Sequence, residues 1–264
     1  MPEIQAKEAT EQTPTTFHSS GDAHEIITGR CPVCKEPLGK RYIPFSSLTY
    51  DIACKCMRDK AEQERARELE EKCIATCRKL LNTYLRTLPE IYKAVTLYNY
   101  KERDEDTRNA LGVARRYVVK WPELRKEGKG LLFCGTSGNG KTHLSCAIGR
   151  EVAAMGYTVR YIRTARLLRI IKDAQLGNLE DTIAPFERCS LLILDDLGKE
   201  KGSDWVNEQL NELIDCRTAN KRPMIVTCNM TPEQFASDYD SAIVDRLNSS
   251  CYRVKLETES YRRL

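Results

Sequence analysis

The chain has 264 residues, 41% of them hydrophobic and 30% charged, with a formal net charge of +4. This is enough apolar material for one good core and a small accessory module. The net charge is too small to signal nucleic-acid binding by the whole molecule, so any basic surface has to be local. No apolar run approaches the roughly 18 residues that span a bilayer. Met1 to Ser20 is polar and acidic with no apolar segment, so neither a membrane anchor nor a secretory signal is expected. Cytoplasm is the default location. Twelve cysteines are then expected as reduced thiols or metal thiolates rather than as disulfides.

Residues 1–29 are rich in Thr, Ser, Glu and Gln without periodicity and read as a disordered tail. Residues 30–58 are turn-rich and carry Cys31-Pro-Val-Cys34 and, 19 residues on, Cys54-Lys-Cys56. Four thiolates in two close pairs suit tetrahedral Zn²⁺. The second pair is tighter than the usual C-x₂-C, and a redox dithiol or unrelated free thiols are the alternatives. A module this small builds no core alone, so metal would supply its folding energy and leave it a docking platform without chemistry. Residues 59–82, dense in Glu, Arg, Lys and Ala, predict a long charged helix. Cys73 and Cys77 lie on one face of it and read as packed thiols rather than ligands. Pro89 and Pro122 mark breaks in the helical segments over 83–128.

From Gly130 short apolar runs alternate with helical stretches. The runs are Leu131–Cys134, Thr158–Ile162, Leu191–Leu194, Met224–Thr227 and Tyr252–Leu256. The alternation implies an α/β domain with a central parallel sheet and helices on both faces.

Gly135-Thr136-Ser137-Gly138-Asn139-Gly140-Lys141-Thr142 fits G-x-x-x-x-G-K-[ST] between a predicted strand and a predicted helix. Glycines let the backbone curl its N–H groups toward phosphate, and the helix N-terminus adds positive potential. Lys141 would neutralise the β- and γ-phosphates of ATP, and the Thr142 hydroxyl would ligate Mg²⁺. About 50 residues on, Leu191-Leu192-Ile193-Leu194-Asp195-Asp196 is an apolar strand ending in two carboxylates. In this Walker B pattern Asp195 holds the Mg²⁺ shell and Asp196 orients the attacking water. Asn229 follows the strand Met224–Thr227. A polar residue at a strand's carboxyl end faces the ligand crevice, so Asn229 could touch the γ-phosphate or the water; a turn former before Pro232 is the alternative.

Arg160, Arg163, Arg166, Arg169 and Lys172 recur every third residue with Tyr161 among them. Such a stripe can follow a single-stranded DNA backbone with an aromatic for stacking. A solvated helix face explains the same spacing.

The motifs LYNY, GTSGNGKT, LLILDDLG, NELIDCRTANKRPMIVTCN, SAIVDRL and ESYRR, in this order from about Leu97 to the end, resemble the DnaC/DnaI-type helicase loaders and the related IstB-like transposition ATPases, a branch of AAA+. The resemblance implies that Arg246 is an arginine finger acting in a neighbouring subunit's site, where such a group accelerates hydrolysis by up to about 10³–10⁵. It also implies that Arg262 is the sensor-2 arginine and that single-strand contacts lie in and around the basic stripe; Lys199 and Lys201, after the acidic pair, are a second candidate loop for DNA. Asp196 stands where most AAA+ proteins carry Glu, and its carboxylate is about 1.5 Å shorter in reach. Slow hydrolysis is therefore expected, in keeping with a nucleotide switch. Only Glu257 to Leu264 follow the last predicted strand, so no helical lid is expected.

The resulting expectation is a disordered tail (1–29), a zinc-binding helical module that docks a helicase (30–95) and an AAA+ ATPase domain (96–264). With ATP, Mg²⁺ and Zn²⁺, such a protein would deliver a DnaB-type replicative helicase to single-stranded DNA, assembling as a homo-oligomer. A helper ATPase for a transposase and an adaptor that binds nucleotide without useful hydrolysis are the alternatives. The cysteine-rich N-terminus favours the loader, since IstB-like proteins usually lack such a module.

Overall fold

A parallel sheet buried on both faces needs apolar side chains pointing both ways along every strand, and the five predicted runs have that composition. The computed structural model describes residues 16–17, 24–42, 49–174, 177–198 and 204–257. The chain forms two compact units, residues 1–72 and 73–264.

In the first unit β1 (Thr16–Phe17), β2 (His24–Arg30), β3 (Pro37–Tyr42) and β4 (Thr49–Ile52) make an antiparallel sheet in that order. The expectation of a disordered tail through residue 29 is thus corrected for β1 and β2; the rest of that stretch lies outside the described residues. The expected helical module is also incomplete, because a sheet precedes its helix. The turn between β2 and β3 closes through the Cys31 N–H on the Glu36 carbonyl (2.8 Å) and the Lys35 N–H on the Cys31 carbonyl (2.9 Å). Lys35 adopts φ 61° to complete it. Helix α1 (Lys55–Thr87) begins in this unit.

The last turns of α1 belong to the second unit, where Tyr84 is fully buried and donates its hydroxyl to the Cys146 carbonyl (2.9 Å). Gly149 leaves room for it, since a Cβ there would lie 2.4 Å from the Tyr84 oxygen. The boundary expected at residue 95/96 therefore moves back into α1. Helices α2 (Glu105–Val119) and α3 (Trp121–Glu127) lead to β5 (Gly130–Cys134) and α4 (Lys141–Ala154). Next come β6 (Val159–Arg163), α5 (Thr164–Ala174), α6 (Leu179–Arg188), β7 (Leu191–Leu197) and α7 (Asp204–Ala219). The unit closes with β8 (Met224–Cys228), α8 (Pro232–Asp238), α9 (Ser241–Ser250) and β9 (Cys251–Lys255).

The sheet is parallel in the order β6-β7-β8-β5-β9. Leu131, Phe133, Ile193 and Ile225 face the core formed with α2, α3 and α4. Leu132, Cys134, Leu194 and Val226 face the one formed with α5, α7 and α9. Strand β8 lies between β5 and β7, so the ends of three different strands converge below the loop that follows β5. Among the described residues no helix is long and apolar enough to cross a membrane.

One buried cation organises the second face. Arg217 on α7 is fully buried, and its guanidinium donates to the carbonyls of Phe186, Glu187, Cys189 (3.2 Å) and Pro223 (2.7 Å). It thereby satisfies the exposed carbonyls at the end of α6, where the helix dipole is negative, and ties them to the approach to β8. Arg217→Met should keep the apolar volume but leave these carbonyls unsatisfied. We expect a loss of about 3 kcal/mol or more in urea unfolding with an unchanged denaturant slope.

Candidate active site and metal centre

The loop after β5 wraps its own lysine. Lys141, 5% exposed, donates to the carbonyls of Gly135 (2.9 Å) and Thr136 (2.6 Å) and to the Asn139 amide oxygen (3.1 Å). Burial pulls its ammonium down to about 8 against the attraction of Cys228, Cys134 and both acidic side chains. Gly140 caps α4 at φ 90°, and a Cβ there would meet the Tyr100 ring at 2.7 Å. Gly135 takes φ 131° directly under the Leu256 carbonyl, where a Cβ would lie 1.9 Å from the oxygen. Asn139 is fully buried, and its amide donates to the Leu256 carbonyl. An interchangeable position of the motif thus serves here as a brace to the end of β9.

A cavity of about 550 Å³ opens above this loop, a size suited to a small-molecule ligand. Ser137, Gly138, Asn139, Gly140, Lys141 and Thr142 line it together with Asp195, Asp196 and Asn229. The structure therefore brings together most residues expected at the nucleotide. Gly135 and Thr136 contribute through their carbonyls to Lys141. The far wall was not foreseen: Tyr92, Asn99, Tyr100, Lys101 and His143. Tyr100 and His143 meet edge to face at 5.3 Å, the Tyr100 hydroxyl donates to the Asn139 carbonyl (3.3 Å), and a ring nitrogen of His143 lies 3.0 Å from the Thr96 carbonyl. Burial pushes the His143 pKa down, favouring the neutral ring. Tyr100 belongs to the LYNY stretch, the one sequence signal for this wall.

The acidic pair is held asymmetrically. Asp195, 3% exposed, accepts Thr142 and Thr227 hydroxyls on Oδ1 (2.7 Å each) and the Tyr161 hydroxyl on Oδ2 (2.7 Å). Buried Thr164 adds a bond to its carbonyl (3.2 Å). Thr142 and Asp195 are thus adjacent, as a shared Mg²⁺ shell requires. The register between β7 and β8 shifts after Leu194, and Asp196 adopts φ 64°, a conformation Asp tolerates better than most residues. The irregularity turns the second carboxylate toward β8, where Asn229 donates its amide to Asp196 and the Thr227 hydroxyl accepts the Asp196 N–H (2.9 Å). Asn229 is therefore at the cavity rather than a mere turn former.

The arginines separate by role. Arg246 on α9 is not among the lining of this cavity; it donates from Nε to Asp215 (2.7 Å) and from Nη1 to Asn211 (2.6 Å) on α7. Arg262, Lys199 and Lys201 lie outside the described residues. The basic stripe borders a second, open cleft of about 990 Å³, lined by Arg86, Arg160, Arg163, Arg166 and Arg169 with Asp173. Arg163 lines the nucleotide cavity as well, and Arg160 lies over the Phe186 ring at 5.6 Å. Lys172 is exposed but is not part of that lining. The expected stacking role of Tyr161 is corrected: it is only 6% exposed, and its hydroxyl is committed to Asp195.

In the first unit the Cys31, Cys34, Cys54 and Cys56 sulfurs lie within 4.8 Å of one another. Cys56 is 3.5 Å from both Cys31 and Cys34 and 3.1 Å from Cys54. Four sulfurs at 2.3 Å from a tetrahedral Zn²⁺ would be about 3.8 Å apart, so this cluster needs little rearrangement to hold such an ion. The backbone N–H groups of Cys34 and Val33 bring the Cys31 thiol down to about 6, whereas the crowded sulfurs push the Cys56 thiol up; a cation among the four would favour the thiolate form that binds metal. The Glu36 carboxylate accepts the Lys55 N–H (2.7 Å) and clips the two cysteine pairs together. Cys73 and Cys77 are not part of the cluster.

A phosphate loop, a hydroxyl-bound acidic strand end and a parallel sheet with β8 inserted define a P-loop ATPase fold of the AAA+ class. The chain belongs to the family of IstB-like ATP binding proteins, whose model matches residues 66–264. It is 27% identical over 173 residues to the replicative helicase loader DnaC of Escherichia coli strain K12, covering 64% of this chain and 69% of that protein. The putative insertion sequence ATP-binding protein y4pL of Sinorhizobium fredii is 30% identical over 174 residues, covering 61% of this chain and 68% of that protein. Among solved structures, the crystal structure of the DnaC helicase loader matches with a TM-score of 0.61 at 26% identity, covering 64% of this chain and all (100%) of that one. The replication initiator DnaA bound to AMPPCP and single-stranded DNA shares the fold, with a TM-score of 0.56 at 21% identity over 65% of this chain and 51% of that one. The DnaC-like AAA+ resemblance read from the motifs is thus borne out.

Two substitutions test the cavity. Lys141→Ala should abolish tight ATP binding, measured by titration with a fluorescent ATP analogue, while melting within a few degrees of the parent. Asp195→Asn should still bind ATP but release no phosphate. Parental turnover in both variants would disprove the assignment.

Proposed function

We propose that this chain is an ATP-dependent loader that places a DnaB-type replicative helicase on single-stranded DNA, acting in the cytoplasm. The observation that carries the reading is a nucleotide cavity complete in phosphate loop, magnesium carboxylate and Asn229, in a chain similar to DnaC in sequence and fold. Lys141 and the loop amides would bind the phosphates, Thr142 and Asp195 would hold Mg²⁺, and Asp196 with Asn229 would orient water. Arg246, half-buried on α9 and turned to Asp215 rather than to its own cavity, suits a finger supplied to a neighbouring copy. The cleft beside α5 would take the DNA backbone through Arg163, Arg166 and Arg169, with Lys172 at its margin.

The transposition-helper reading is favoured by the family match and by the relative from an insertion sequence. The cysteine cluster argues for the loader, because it precedes residue 66, where the family match begins. A part added to the shared ATPase is the natural place for partner choice, and we assign to it a structural Zn²⁺ and the helicase contact.

Freshly purified reduced protein should carry about one Zn²⁺ per chain by mass-spectrometric metal analysis. A Cys31→Ser/Cys34→Ser variant should lose the ion and the helicase contact while still binding ATP, because metal energy supports only the local module. Absence of zinc from the parent would remove the metal claim.

The loader reading is tested with full-length protein and the replicative helicase of its host. Helicase should become bound to single-stranded DNA only with ATP and intact Lys141. Arg246→Ala should bind ATP and helicase yet lose assembly-stimulated hydrolysis. Mixing Arg246→Ala with Lys141→Ala should restore part of it, since one good site then meets one good finger. Absence of any complex with the helicase, alongside stimulation of DNA joining by a transposase, would favour the second reading.

A further inference from the structure

The aromatic of the basic stripe has no role in the reading above. Its strand explains where it went. In β6 Tyr161 pairs with Ile193 of β7, and Arg163 pairs with Asp195, so Tyr161 lies two residues short of the acidic pair on the neighbouring strand. A side chain long enough to climb that distance reaches the carboxylate from the flank, and Tyr161 does so with its hydroxyl 2.7 Å from Oδ2. The ring packs with the Tyr84 and Ile193 core and also lines the basic cleft. Its guanidinium neighbour Arg163 borders both that cleft and the nucleotide cavity.

The distribution of donors makes Tyr161 different from its companions. Thr142 and Thr227 both donate to Oδ1. Among the described residues, Oδ2 receives Tyr161 alone. A carboxylate gripped on one oxygen still rotates about its own axis; a donor on the other oxygen fixes the plane.

We propose that Tyr161 is a positioning residue for the magnesium carboxylate: its hydroxyl sets the orientation of Asp195, and thereby the geometry in which Asp195 and Thr142 present oxygens to Mg²⁺. The proposal rests on the ATPase reading of the cavity. Groups that orient a metal's ligands typically change metal affinity or activity about 10–100-fold when removed.

The test is nucleotide binding by full-length protein, with a fluorescent ATP analogue titrated in Mg²⁺ and in EDTA. In Tyr161→Phe the Mg²⁺ concentration for half-saturation should rise about tenfold, and the ratio of affinities with and without Mg²⁺ should fall to match. Turnover at saturating nucleotide and limiting Mg²⁺ should drop and be recovered by added Mg²⁺. Equal losses in Mg²⁺ and in EDTA would mean that the ring only supports the fold and would overturn the proposal, as would a parental Mg²⁺ dependence. If Tyr161→Phe does not fold, replacement of Tyr161 by 4-aminophenylalanine, which keeps the ring and a donor at the same reach, carries the titration against 4-methylphenylalanine, which keeps the ring and loses the donor: a parental Mg²⁺ ratio in the first and a reduced one in the second support the proposal, and equal ratios oppose it. A parent that binds no nucleotide under either condition would instead overturn the ATPase reading itself.

Discussion

A carboxylate carried to the end of a buried strand must be held by donors or lose its charge. In this protein Asp195 is that carboxylate, and three elements hold it: the start of α4 through Thr142, β8 through Thr227 and β6 through Tyr161, while Thr164 at the start of α5 bonds its backbone carbonyl. The arrangement is possible only because β8 is inserted between the loop strand and the acidic strand, and because all the strands run the same way. Every carboxyl end then opens at one edge of the sheet. The glycine conformations, the buried lysine and the turned Asp196 all sit around this edge, and each would be an unexplained local strain without it.

Short hydroxyls and amides, rather than further charges, do most of the holding. Lys141 rests on carbonyls and an amide oxygen, Asp195 on hydroxyls, and Asp196 on Asn229. Neutral partners fix geometry without cancelling the charges that a magnesium–nucleotide complex would need to meet. The same economy recurs on the opposite face, where the Arg217 Nη groups rest on four carbonyls and the Cys189 sulfur. In the first unit, by contrast, four sulfurs are gathered with a charged clip, Glu36 on the Lys55 amide, which fits the structural Zn²⁺ proposed for that module.

Legibility in the sequence followed contiguity. The phosphate loop and the acidic strand end carry their chemistry in adjacent residues, so their strands, helix and roles could be read directly, and all five strands of the sheet fall where the apolar runs lie. The wall made by Tyr92, Asn99, Tyr100 and His143 is assembled from two distant segments, and nothing in the spacing of either announces the other. Tyr161 was misplaced for a related reason. A period of three among its arginine neighbours describes a helix, but Tyr161 sits on a strand, where side chains alternate and its own turns inward. Strand β2 was missed because His24–Arg30 mixes polar and apolar residues without alternation, and its pairing with β3 is fixed by the cysteine turn. The charged helix predicted over 59–82 is present and runs longer, Lys55–Thr87, because Tyr84, beyond the charged stretch, is buried in the second unit.

The brace between Asn139 and the Leu256 carbonyl gives the last strand a say in the first motif. Gly135 is pressed under the same carbonyl, and the Leu256 N–H returns a bond to Cys134 (2.9 Å). Phosphate-loop shape is therefore set in part by residues synthesised more than 110 positions later. A nascent chain cannot complete its nucleotide pocket until β9 has left the ribosome. The same knot makes the stretch around Leu256 a poor place for a junction to another protein.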